Sequence, residues 1–208
     1  MKITAVLQDS MPVFDMLPAV YPTDFPQEKG SFKPFMHTRL AAVAGSGLYV
    51  NHTVFENPDL IPIQRDEGDI FQNCCASLSL NPFPQSSRYY INVTCDIYGG
   101  FLATLCDGAE IVDDLTREIG ADFTPLTQGG YNEIGVYWGC TFLLSERLFQ
   151  RLYGAHQLNE ETVMKGNLYI CCQNPQMAHF GAVSPVEERG NSSVYRTDGF
   201  CDIEFLRL

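Results

Sequence analysis

The chain has 208 residues, of which 45% are hydrophobic and 12% aromatic, enough for one domain with its own core and too much for a disordered polymer. Its 13 basic and 25 acidic residues give a formal charge of −12, which opposes the phosphate attraction behind most nonspecific nucleic-acid affinity. A grip on nucleic acid or on an anionic membrane is therefore disfavoured, encounter with basic partners is favoured, and no apolar run is long enough to span a bilayer.

At the N-terminus, Gln8 and Asp9 interrupt the apolar stretch before a secretory core can form. The expectation is a protein of the cytoplasm, a reducing compartment, or of a particle assembled there. Eight cysteines (74, 75, 95, 106, 140, 171, 172 and 201) fall mostly at apolar positions of expected strands or helix, so they are read as reduced, buried, small hydrophobes. Prolines at 12, 18, 22, 26 and 34 forbid a long helix or a central strand, which makes residues 1–36 a Pro-rich N-terminal arm or lead-in. Within it "KITAVL" reads as an edge strand and "SMPVFDML" as a short helical turn. Residues 37–208 then form a single α+β domain.

From Leu48 the pattern has a two-residue period, as half-buried strands require. "LYVNHTVF" alternates; "DIFQNCCASLSL" and "RYYINVTCDIY" alternate more clearly, and the turn formers of "NPFPQSS" join them as a hairpin. "FLATLCDGAEIVDDLTREI" fits helical spacing, with Leu102, Leu105, Ala109, Val112 and Ile119 on one side. Asp107, Glu110, Asp114 and Glu118 fall on the other side as an acidic stripe, a candidate docking face for a basic partner. "TQGGY" reads as a turn, "NEIGVYWGCTFLL" alternates again, and "SERLFQRLYG" is a short helix with Ser145 as cap and Gly154 as stop. "NLYICC", "HFGAV" and "FCDIEFLRL" are further strands, the first two joined by "NPQ" as a hairpin. The sum is an α+β fold: a mainly antiparallel β sheet or sandwich with one substantial amphipathic helix (about 101–119), one short helix (about 145–153) and the Pro-rich arm.

Few constellations point to chemistry. Histidines 37, 52, 156 and 179 and the cysteines form no CxxC, HxxxH or HExxH pair, so neither a metal site nor a cofactor is expected. His52 and Glu56 share a strand face, but one pair is not a site. Gly45-Ser46-Gly47 leads into a strand, whereas phosphate cradles lead into a helix.

The order of Cys140 in "WGCTFLL", the strand "KGNLYICC" and His179 in "AHFGAV" resembles the NlpC/P60 and CHAP peptidases. That resemblance implies a cysteine hydrolase with Cys140 as nucleophile and His179 as base. The chain departs from the pattern at Cys140, which sits inside an alternating run on the face of Trp138 and Phe142, while the helix signal begins at Ser145. Glu187, Glu188 and Asn191 are loose choices for a group orienting His179. The function expected from strand-richness, acidity and the arm is a non-catalytic structural or assembly component of a larger particle, by fold-level analogy a phage-like virion, tail or connector protein. Its partners would be itself, as a homo-oligomer, or neighbouring proteins of that assembly. The alternatives are the cysteine hydrolase and an acidic binding or inhibitor module.

Overall fold

The computed structural model describes residues 2–28, 33–56, 68–132, 135–154, 157–176, 178–187 and 194–207. In chain order the first strands are β1 (Lys2–Gln8), β2 (Asp24–Glu28), β3 (Phe35–Val43), β4 (Gly47–Glu56), β5 (Cys75–Asn81), β6 (Tyr90–Asp96), β7 (Phe101–Asp107) and β8 (Glu110–Asp114). After helix α1 (Thr116–Gly120) come β9 (Thr124–Asn132), β10 (Gly135–Ser145), helix α2 (Glu146–Tyr153), β11 (Val163–Cys172), β12 (His179–Ala182) and β13 (Cys201–Arg207). Eleven strands follow one curled path, β8-β7-β6-β5-β11-β13-β1-β3-β4-β10-β9, and β12 and β2 branch from it beside β11. The result is a half-barrel that is 52% strand and 12% helix.

The two halves of the path are joined by β1, which pairs in parallel with β13 on one side and with β3 on the other. The remaining ladders are antiparallel. Curling brings the halves face to face over one core. Alternate residues of β4, β10, β5 and β6 point into it, among them Val50, Val54, Trp138, Phe142, Leu78, Leu80, Ile91 and Val93. Across the interior the Cys95 and Cys140 thiols lie 2.9 Å apart, and the Phe101 and Phe142 rings are 6.2 Å apart in an edge-on arrangement.

Two smaller clusters cover the outside. The backs of β5, β11 and β12 carry Cys75, Tyr169, Cys171 and Phe180, capped by Val186 and Val194. A 3-10 turn at Phe14–Met16 lays Phe14 and Leu17 over Val6 and Ala41.

This architecture corrects the α+β expectation in two places. The first concerns 101–119, where a helix of that length is replaced by the β7–β8 hairpin and a one-turn α1. Asp107 pairs with Glu110 across a two-residue loop, and Gly108 there has φ +58°, a left-handed conformation that ends a helix and suits a tight hairpin. The alternation of Ala103 and Leu105 toward the core against Leu102 and Thr104 satisfies period two as well as the wheel satisfied 3.6. The second correction concerns the arm: Ile3, Ala5 and Val6 are fully buried, and β1 is an interior strand of the sheet. The prolines fall outside β1 and β3, with Pro26 in the outlying β2. "TQGGY" also proves to be strand, within β9. Helix α2 is capped by Ser145, whose Oγ accepts from the Leu148 amide at 3.1 Å, and stops at Gly154, φ +96°.

The inner face of β4 and β10 also carries polar side chains. His52 is buried with Nδ1 2.7 Å from the Thr38 hydroxyl, and Glu56 is buried nearby on the same strand. His52 Nε2, Glu56 Oε1 and Trp138 Nε1 find no hydrogen-bond partner among the described residues. Burial pulls the His52 pKa down from 6.5 to about 3. Burial likewise raises Glu56 from 4.5 to about 8; the Cys172 thiol adds to that shift and a hydrogen bond with Cys74 opposes it.

These shifts set the dependence of stability on pH. Between pH 4.5 and 8 native Glu56 keeps a proton that the unfolded chain releases, so stability falls as pH rises through that window. Between pH 3 and 6.5 unfolded His52 binds a proton that the native state refuses, so stability rises with pH there. The slopes cancel where the windows overlap. Thermal stability is expected to be level from about pH 4.5 to 6.5 and to decline by about 2 kcal/mol on each side, toward pH 3 and pH 8. In Glu56→Gln the alkaline decline disappears and the level region becomes a rise; an alkaline decline retained in that variant would remove Glu56 as its source.

Candidate functional site

The outward face of β3, β4 and β10 answers to different demands from its inner face. Because side chains alternate, the strands that send Met36, Val54 and Trp138 into the core turn Phe35, Phe55 and Tyr137 outward. Register makes these three a line across the sheet: Phe35 stands opposite Phe55, and Phe55 opposite Tyr137. Their ring centroids are 5.7 and 5.9 Å apart. Tyr21 extends the line past β3, because Val20 bridges to Thr38 and points inward, leaving Tyr21 outward at 5.4 Å from Phe35. Phe35 is 49% exposed and Tyr21 43% exposed, high values for side chains of this size.

Two more rows run parallel to this aromatic one, each two residues further along the strands. The next is His37, Thr53 and Gly139. Gly139 puts no side chain there, and none would fit, since a Cβ would lie 2.0 Å from the His52 carbonyl oxygen. Beside it the pairing of β10 with β9 shifts between Tyr137 and Gly139, a bulge at the edge of the aromatic row. The third row is Arg39, Asn51 and Thr141, with Asn51 Nδ2 donating to Thr141 Oγ1 at 3.1 Å.

Arg39 is fixed from two sides. Its Nε donates to the Leu17 carbonyl at 3.3 Å and its Nη1 to His37 Nε2 at 2.6 Å. That bond requires His37 Nε2 to be an acceptor, so the imidazole is neutral. Burial lowers the His37 pKa and the neighbouring guanidinium lowers it further, against a smaller upward pull from Asp15.

A second polar and aromatic corner lies on the other half of the molecule. Around the 3-10 turn Ile70–Gln72, Asp69 Oδ1 accepts from the Phe71 amide at 3.0 Å, and the Gln72 side chain reaches both Asp69 and Gln173 at 3.4 Å. Phe71 meets Tyr195 edge-on with centroids 6.2 Å apart. Beside Tyr195 opens a cleft of about 240 Å³ lined by Gly108, Ala109 and the Arg196–Asp198 ion pair.

The residues singled out from sequence lie elsewhere. Cys140 is 1% exposed, faces Cys95 in mid-strand, and burial raises its thiol well above the ordinary range, the reverse of what a nucleophile needs. His179 is buried on β12 in register with Cys172 and Glu28, so the hydrolase arrangement is corrected. Of the groups considered for orienting His179, Glu188 and Asn191 lie outside the described residues. The acidic four share no helix face. Asp107 pairs with Arg88 at 2.6 Å and Glu118 with Arg151 at 2.5 Å; Asp114 accepts from the Thr116 amide at 2.8 Å, and Glu110 stands exposed at the start of β8. Among the described residues no three His, Cys, Asp or Glu side chains group as metal ligands. Among the described residues no helix is long and apolar enough to cross a membrane.

No protein-family model and no curated protein sequence matches the chain. Solved structures do match in fold. A "putative carbohydrate-binding protein" from Bacteroides uniformis superposes with a TM-score of 0.73 at 17% identity, over 99% of each chain. A carbohydrate binding module of family 9 from Caldicellulosiruptor kristjanssonii, in complex with glucose, superposes with a TM-score of 0.65 at 8% identity, over 100% of this chain and 97% of the other. These neighbours overturn the expectation of a structural component of a phage-like particle: the fold is one found in proteins described as binding carbohydrate.

All eight cysteines are free and buried, so native protein treated with iodoacetamide at neutral pH should keep its full set of thiols and lose them once unfolded in guanidinium. Mass spectrometry showing native alkylation at Cys140 would contradict the burial described here.

Proposed function

We propose that this chain is a non-catalytic carbohydrate-binding module, and that glycan lies on the outward aromatic row of Tyr21, Phe35, Phe55 and Tyr137. The observation that carries this proposal is the row itself: four rings from four separate segments, aligned by strand register and partly open to solvent. A pyranose has an apolar face of C–H groups and a rim of hydroxyls. Aromatic rings cover the face at little conformational cost, while adjacent hydrogen-bonding groups fix the rim. Asn51, Thr53, Thr141 and Arg39 supply such groups along the strands from the rings. The likeness in fold to proteins described as carbohydrate-binding adds weight to the proposal.

A second location for the same activity is favoured by one observation, the cleft beside Tyr195, whose ring also packs on Phe71. Substitution separates the two. Calorimetry or affinity electrophoresis with a glycan identified on an array should show Phe35→Ala and Phe55→Ala each weakening binding about tenfold or more, about 1.4 kcal/mol, with unchanged far-ultraviolet circular dichroism. Tyr195→Ala should leave that affinity in place. Loss through Tyr195→Ala with Phe35→Ala silent would move the site to the second corner, and an array with no glycan bound would reject the function.

A further inference from the structure

Resting on that carbohydrate-binding proposal, we infer that the preferred ligand is an acidic glycan, with an isolated uronic-acid carboxylate held by Arg39 while a neighbouring sugar ring lies on Phe35 and Phe55. Arg39 stands on the same outward face as the aromatic row, four residues along β3 from Phe35, a spacing of about 13 Å at the usual rise of a strand. That spacing suits a short oligosaccharide laid along the strands. The intervening row of His37, Thr53 and Gly139 has one small side chain, at Thr53, and none at Gly139.

The charge pattern selects the carboxylate. Most arginines of the chain that the structure describes are neutralised by acids: Arg88 by Asp107, Arg151 by Glu118 and Asp113, Arg196 by Asp198, and Arg207 by Glu160. Arg39, Arg117 and Arg147 form no ion pair among the described residues, and of these Arg39 is the half-buried one. Exposed Asp15 lies within electrostatic reach of His37 but is not bonded to Arg39. Both partners of Arg39 among the described residues, the Leu17 carbonyl and the neutral His37 ring, are uncharged acceptors that set its orientation and leave Nη2 without a partner among those residues. A half-buried, oriented guanidinium without a counter-ion among the described residues matches the geometry of a planar carboxylate. The overall charge of −12 repels densely charged polyanions, so the ligand this surface admits carries its carboxylates sparsely.

The experiment compares glucuronic-acid-substituted xylo-oligosaccharides and partly esterified oligogalacturonides with their carboxyl-reduced counterparts, which keep the sugar backbone and lose the charge. Calorimetry on the full chain should find the acid form bound at least tenfold more tightly. Arg39→Met should abolish that preference, so that acid and reduced forms bind alike, and Arg39→Lys should recover part of it. Equal affinity for acid and reduced forms, or a preference that survives Arg39→Met, would overturn the inference yet leave carbohydrate binding standing. If neither these probes nor neutral oligosaccharides bind, carbohydrate binding itself falls. Neutral binding lost in Phe35→Ala with no response to the carboxylate would isolate the failure to the role of Arg39.

Discussion

The parallel pairing of β1 with β13 is the constraint on which the rest of the molecule depends. These strands, from opposite ends of the chain, lie side by side in the middle of the sheet, and β1 also pairs with β3, so the seam joins the half built on β5, β6 and β11 to the half built on β3, β4 and β10. The seam is held by burial of Ile3, Ala5, Val6 and Ile203 rather than by its ion pair. Lys2 and Glu204 meet across it at 2.7 Å, but both are well exposed, and such a pair contributes little. From the same seam the chain continues into the turn at Phe14–Met16, which packs on Val6 and Ala41 and presents the Leu17 carbonyl to Arg39. The seam therefore reaches the candidate site through one hydrogen bond.

The two faces of β3, β4 and β10 divide the work. Inward, these strands hold Trp138 and Phe142 together with His52 and Glu56, whose burial strongly disfavours their charged forms. Outward, the same alternation sets aromatic rings in a line. Strand geometry permits no independent adjustment of one face, because a shift of register by one residue would exchange Phe55 for Val54 and Tyr137 for Trp138. The packing of the core thus fixes the spacing of the rings outside.

Local elements were legible in the sequence wherever the signal was itself local. The β5–β6 and β11–β12 hairpins follow from alternation broken by turn formers, and the end of α2 from Ser145 and Gly154. Long-range pairing was not legible. Five prolines made the first 36 residues look like an arm, yet they cluster between β1 and β3 and leave "KITAVL" free to become an interior strand. In 101–119 both periods fit the apolar residues, and the deciding mark is Gly108, whose positive φ at the first position of the two-residue turn suits a tight hairpin. The aromatic row draws on positions 21, 35, 55 and 137, each unremarked in its own segment. Sequence drew attention instead to Cys140 and His179, where proximity of reactive residue types along the chain meant little once each was buried in its strand.

The central claim is that glycan occupies the outward face of β3, β4 and β10, and the single tryptophan makes it directly observable. In an aromatic-ring NMR titration with a bound oligosaccharide, the resonances of Phe35, Phe55 and Tyr137 should shift and show contacts to sugar protons. The Trp138 indole, behind them on the inner face, should show no such contacts. Sugar contacts confined to Phe71 and Tyr195, or absent from every ring at saturating glycan, would contradict it.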